Sequence, residues 1–180
     1  MRKGIILLLI VFSFAILFTA CQQVKITPAP EVEVYHFNPV GTYIASPFDT
    51  VVIDSIQFIV WNHVDAIIRE MSYSYRSVRN DNIVGSSIDA GLGFFLSGGD
   101  EYCEESCITT LLGTVLDVTD IFSYMYTNND NVVAEITFSG EDAYGEEKEF
   151  SCKMYFAVML APMFSEENIM IPIETGGNNE

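Results

Sequence analysis

The sequence predicts an all-β protein: an antiparallel sandwich of two sheets and about seven strands, placed after an export signal. Three observations carry this. Apolar residues alternate with polar ones over at least five runs, clusters of turn-forming residues separate the runs, and no stretch after Cys21 shows a capped 3.6-residue period.

The signal occupies residues 1–20. Met1-Arg2-Lys3 is basic, residues 5–18 (IILLLIVFSFAILF) are an uncharged apolar run of 14, and Thr19-Ala20 supplies small residues before Cys21. A membrane-spanning helix needs about 20 apolar residues, so cleavage is expected, with an uncleaved N-terminal anchor as the alternative. Residues 21–47 read as a tether stiffened by Pro28 and Pro30. Glu31 to Phe37 alternates, so an edge strand can begin there.

The sandwich itself is expected over residues 48–162. Val51 to Trp61 is rich in β-branched residues and sets Ile56, Phe58 and Val60 on one face. Val64 to Met71 fits two helical turns or a strand; its Ile67-Ile68 pair and the clean alternation from Met71 to Arg76 favour strand. Residues 91–96 are short and Gly-rich, as in a bulged or edge strand. Residues 108–126 are long enough for two strands, or for one bent around Gly113. Ala134 to Phe138 alternates, and Phe150, Cys152, Met154 and Phe156 begin a series that Val158 and Leu160 continue. Asn80–Asn82, Ser97–Asp100, Asn128–Asn131 and Gly140–Gly145 favour turns. Residues 163–180 form a C-terminal tail, in which Ile169, Ile171 and Ile173 alternate and could dock as a short final strand.

Charge narrows the partners. The chain has 25 acidic and 8 basic residues, a formal charge of −17, and loss of Arg2 and Lys3 with the signal takes it to −19. Such a surface repels a nucleic-acid backbone and excludes polybasic attachment to anionic lipid. The 13% aromatic and 49% hydrophobic content excludes a wholly disordered chain.

Leu17-Phe18-Thr19-Ala20-Cys21 resembles the lipobox of bacterial lipoproteins, with Phe18 where leucine is usual. The resemblance implies that Cys21 becomes the mature N-terminus and carries a diacylglyceryl thioether, usually with an N-acyl chain. At about 0.8 kcal/mol per buried CH₂, two or three chains anchor a protein stably. The implied partner is membrane lipid. The implied location is a bacterial cell envelope, on the outer membrane or on the outer face of the cytoplasmic membrane. Gln22, in place of aspartate, implies transfer to an outer membrane where one exists.

Residues 132–160 (VVAEITFSGEDAYGEEKEFSCKMYFAVML) resemble the closing hairpin of bacterial immunoglobulin-like domains. Gly140, Asp142 and Gly145 match its G-x-D-x-x-G turn. This implies an immunoglobulin-like sandwich and no particular activity.

Beyond Cys21 there are three cysteines. Cys152 is in phase with Phe150 and Met154, as a buried thiol would be. Cys103 and Cys107 are close enough in a loop to bridge; Cys107–Cys152 pairing, or no bridge, are the alternatives. Asp100, Glu101, Glu104 and Glu105 surround the first pair, oppose thiolate formation and form a weak candidate cation site. Glu141, Asp142, Glu146, Glu147 and Glu149 form a second acidic cluster. Neither cluster has calcium-loop spacing, so solvated acidic loops are the plainer reading, and no metal or cofactor is expected.

The histidines are His36 and His63, and His63 with Asp65 could suggest a catalytic pair. No nucleophile motif accompanies them, so a turn histidine beside a turn aspartate is expected and no residue is assigned to catalysis. The favoured function is therefore a non-catalytic interaction or structural module of the envelope, meeting another envelope protein or a polysaccharide. A carbohydrate- or substrate-binding lipoprotein is the alternative, if Tyr73, Tyr75, Tyr124, Tyr126, Tyr144 and Tyr155 face solvent together. A hydrolase with an unrecognised site ranks third.

Overall fold

The computed structural model describes residues 27–85, 88–100 and 107–162. Among these residues eight strands and one helix follow in order: β1 (Val32–Asn38), β2 (Gly41–Ile44), β3 (Val51–Val60), β4 (Ala66–Ser77), β5 (Ile88–Leu96), β6 (Ile108–Leu116), α1 (Thr119–Asn128), β7 (Val132–Asp142) and β8 (Glu149–Leu160). They build two sheets, β1-β3-β6 and β2-β8-β7-β4-β5. Every pairing is antiparallel except that of β2 with β8, which is parallel. The all-β expectation holds at this level.

β8 shows why alternation dictates a sheet with one covered face. Phe150, Cys152, Met154, Phe156 and Val158 are buried, while Ser151, Lys153 and Tyr155 face solvent. β7, its neighbour, turns Val132, Ala134, Ile136 and Phe138 inward. Across the interior stand Ile56, Phe58 and Val60 of β3, so the core lies between the sheets. Phe58 touches Phe138 edge to face and Phe94 of β5 at a tilt.

Two irregularities interrupt the alternation. In β4, Ala66 and Ile68 are buried, then Met71, Tyr73 and Tyr75; the register shifts against both β5 and β7 between Ile68 and Glu70. Arg69 is the extra residue of a β-bulge, and it flips the phase of everything after it. This is why the stretch around Ile67-Ile68 reads ambiguously, and it is strand, not helix. In β6, Gly113 has φ +70, a conformation that a Cβ disfavours, and the buried set changes phase there to Thr114 and Leu116.

Gly113 marks the change of phase within residues 108–126, and the second half departs from the expected strands. Residues 119–128 are α-helical, a correction to the all-strand reading. Val118, Ile121, Phe122 and Met125 fall at i, i+3, i+4 and i+7, one helical face, and Ile121 and Met125 are fully buried. Asp117 Oδ1 accepts the Thr119 N–H at 2.9 Å where the helix begins, and Asn129 (φ 46) ends it in the left-handed conformation.

Residues 32–38 and 41–44, within the stretch expected as a tether, are edge strands of the two sheets, and the chain changes sheet between them. The tail at 163–180 and the expected signal at 1–20 lie outside the described residues. Among the described residues no helix is long and apolar enough to cross a membrane.

Candidate functional site

Antiparallel pairing brings three connections to one end of the strands: 61–65 after β3, the chain from Ser97 after β5, and 143–148 after β7. Asp65 joins all three. Its Oδ1 accepts the Gly98 N–H at 2.7 Å, its Oδ2 accepts the Tyr144 hydroxyl at 3.2 Å, and its carbonyl accepts the Ala143 N–H at 2.9 Å. His63, in the left-handed conformation with φ 58, donates Nδ1–H to Gly98 O at 3.0 Å. Any Cβ at Gly98 would collide with the His63 carbonyl, so only glycine permits this approach. His63 and Asp65 thus each hold the chain at Gly98.

Asp142 organises the neighbouring turn. Its carboxylate accepts the N–H groups of Lys148 (2.7 Å), Glu146 (3.1 Å) and Tyr144 (2.8 Å), and its own N–H returns to Lys148 O at 3.0 Å. The Lys148 N–H, helped by those of Glu146 and Tyr144, holds its carboxyl below the usual aspartate range. Gly145 adopts φ +78 at the tip. Of the G-x-D-x-x-G residues, Asp142 and Gly145 shape the turn, whereas Gly140 lies within β7, paired with Ile68 and Phe150.

The N-terminal chain is strapped to the same end. Asn62 accepts the Glu31 N–H at 3.0 Å and donates to Ala29 O at 2.6 Å, and the Trp61 N–H donates to Glu31 O at 2.9 Å. The Trp61 indole N–H donates to Glu33 at 2.9 Å, with the ring 55% exposed.

Cys107 is buried and disulfide-bonded, whereas Cys152 is a buried free thiol. Both the Cys107–Cys152 pairing and the unbridged reading are thereby corrected. Cys103 lies outside the described residues, as do Cys21, Glu101, Glu104 and Glu105. Of the first acidic cluster only Asp100 is described, and among the described residues no group of three His, Cys, Asp or Glu side chains is placed to hold a metal ion. Burial, reinforced by Glu33, pushes the Cys152 thiol up to about 12.

The six tyrosines do not form one platform. Tyr73 and Tyr75 are buried and brace the corner between β6 and α1: Tyr75 donates to Asp117 O at 2.7 Å, and the Tyr73 hydroxyl accepts the Asp117 N–H at 2.9 Å. Tyr144 and Tyr155 are exposed on separate elements. At the end opposite the three loops, Phe122 and Tyr126 stack with ring centroids 6.2 Å apart. They line an open groove of about 650 Å³ with Ile44, Leu160, Asn129 and Asn131. Sequence reasoning missed this groove because half of it depends on α1. The helical spacing of Val118, Ile121, Phe122 and Met125 was the signal that could have found it.

No protein-family model and no curated protein matches the chain. Among solved structures the chain is similar to a late embryogenesis abundant (LEA) protein determined in solution, at 15% identity and a TM-score of 0.39, over 88% of this chain and 86% of that one. A likeness at that level carries no argument here.

Proposed function

We propose that the chain is a lipid-anchored, non-catalytic module of a bacterial cell envelope, built on an immunoglobulin-like sandwich and tethered through acylated Cys21. The observation that carries the anchor is the lipobox-like run from Leu17 to Cys21, and the strand order supports the sandwich. In an immunoglobulin-like domain one sheet holds strands A, B and E and the other G, F and C, with C′ added beside C in variable types. The orders β1-β3-β6 and β2-β8-β7-β4-β5 fit that scheme, with β3 and β6 as B and E, and β8, β7, β4 and β5 as G, F, C and C′. Phe58 and Phe138 would then occupy the region that the inter-sheet disulfide takes in antibody domains. The engagement of His63 and Asp65 with Gly98 and Tyr144 supports a structural role for both.

The Phe122–Tyr126 stack supports a second reading, in which the groove beside α1 takes a neutral carbohydrate. Ring faces there would cover the sugar, and the Asn129 and Asn131 amides would meet its hydroxyls.

Fractionation tests the first reading. The wild-type protein should sediment with membranes and incorporate labelled fatty acid, and Cys21→Ser should do neither. Equal membrane association and labelling of the two proteins would refute the anchor. Retention of the 22–180 fragment on an envelope polysaccharide, lost in Tyr126→Ala, would favour the second reading.

A further inference from the structure

We infer that the anchored domain stands with its three-loop end toward the bilayer and displays the α1 end outward; this rests on the acylation of Cys21 proposed above. The chain is fastened to the loop end at Ala29 and Glu31 by Asn62 and Trp61, with Thr27 reaching Glu146 at 3.5 Å. From Cys21 to Thr27 is six residue steps, and an extended chain covers about 3.3–3.6 Å per step, so the leash reaches about 20 Å. β4 runs from the loop end at Ala66 to the far end at Ser77 in 12 residues. Over 11 residue steps of about 3.3 Å, the ends stand about 36 Å apart.

A leash of about 20 Å attached at the loop end cannot invert a body about 36 Å long. With α1 against the lipid, the loop end would sit farther from the bilayer than Cys21 can follow. Charge opposes the remaining arrangement, a domain lying on its side. Without the signal the chain carries −19 in all, and Glu31, Glu33, Glu146, Glu147 and Glu149 are exposed around the loop end. A body lying against anionic headgroups brings its charge within a Debye length of about 10 Å, whereas a loop end set off by a leash of up to about 20 Å keeps it beyond that distance. The consequence for function is a reversal of roles. The loops that such sandwiches often use for recognition face the headgroups here. The outward surface is α1, the turn at 129–131 and the groove between Phe122 and Leu160.

The test uses the mature acylated protein in phosphatidylglycerol-containing vesicles that carry a dansyl-labelled headgroup. Trp61, the only tryptophan, reports on the loop end; the double variant Trp61→Phe, Tyr126→Trp reports on the α1 end. Energy transfer to the headgroups should be several-fold stronger from the first protein than from the second. Inserting a flexible ten-residue spacer between Ile26 and Thr27 should lower transfer from Trp61. Equal transfer from the two positions, or stronger transfer from position 126, would overturn the orientation. Intact-mass measurement of the same samples separates the two claims: an unmodified Cys21 overturns both, whereas acylated Cys21 with equal transfer overturns the orientation alone.

Discussion

Phe58 of β3 and Phe138 of β7 meet edge to face between the two sheets, ring centroids 4.9 Å apart and planes at 87°. Both are fully buried, and Cys152 of β8 sits opposite Phe138 in the register. The contact ties the three-stranded sheet to the five-stranded one at the level where Phe94 of β5 also reaches Phe58.

Truncation of Phe138 to alanine should therefore cost about 3–5 kcal/mol. Leucine at both positions, compared with each single replacement in urea unfolding, should give a coupling of about 0.5–1.5 kcal/mol. A coupling of zero would mean that the rings share a core without interacting.

β8 offers a sharper contrast between neighbours. Phe156 is 0% exposed and Tyr155 is 57% exposed. Phe156→Ala should destabilise by about 3–5 kcal/mol, and Tyr155→Ala by well under half of that. Equal midpoints in denaturant would contradict a strand covered on one face.

These straight segments are the ones that sequence reading recovers. The series Phe150, Cys152, Met154, Phe156 keeps one phase because β8 has no bulge, so period two is visible over its whole length. β4 breaks phase at Arg69, and a one-residue slip turns a strand pattern into one that also suits a helix. α1 was legible in principle from Val118, Ile121, Phe122 and Met125, but these follow the apolar run of β6 directly and Asp117 alone marks the boundary. The parallel pairing of β2 with β8 has no local signature at all, since no hairpin turn joins them. At the loop end the sequence showed Asp65 and Tyr144 as separate turn residues. Their contact crosses 79 positions and arises only when β4 and β7 pair.

Asp142 supplies an acid-sensitive element. Its folded pKa is lowered from an ordinary value of 3.8, chiefly by the Lys148 N–H. A depressed carboxylate pKa contributes stability that is fully present above the unfolded value and lost as pH falls through the lower folded value. The gap in melting temperature between wild type and Asp142→Asn should thus be constant above about pH 5 and close progressively below the ordinary aspartate range. A gap that persists unchanged in strong acid would show that the ionised form is not what the three N–H groups hold.

The cysteines give a simple count. With Cys107 bridged and Cys152 free, the native protein should react negligibly with a thiol reagent at pH 8, because the Cys152 thiol is buried and pushed up to about 12. Unfolding without reductant should release the Cys152 thiol at once. Cys103→Ser should expose one further thiol if Cys103 is the partner of Cys107. A count one lower in Cys103→Ser than in wild type would place the bridge elsewhere.

The most direct measurement is intact and N-terminal peptide mass spectrometry of the protein extracted from membranes. An acylated anchor predicts a chain beginning at Cys21, heavier than its residues by a diacylglyceryl group and, where the N-terminus is acylated, by one further acyl chain. A chain that begins at Met1, or at any residue other than Cys21, or an unmodified Cys21 in the membrane fraction, would contradict it.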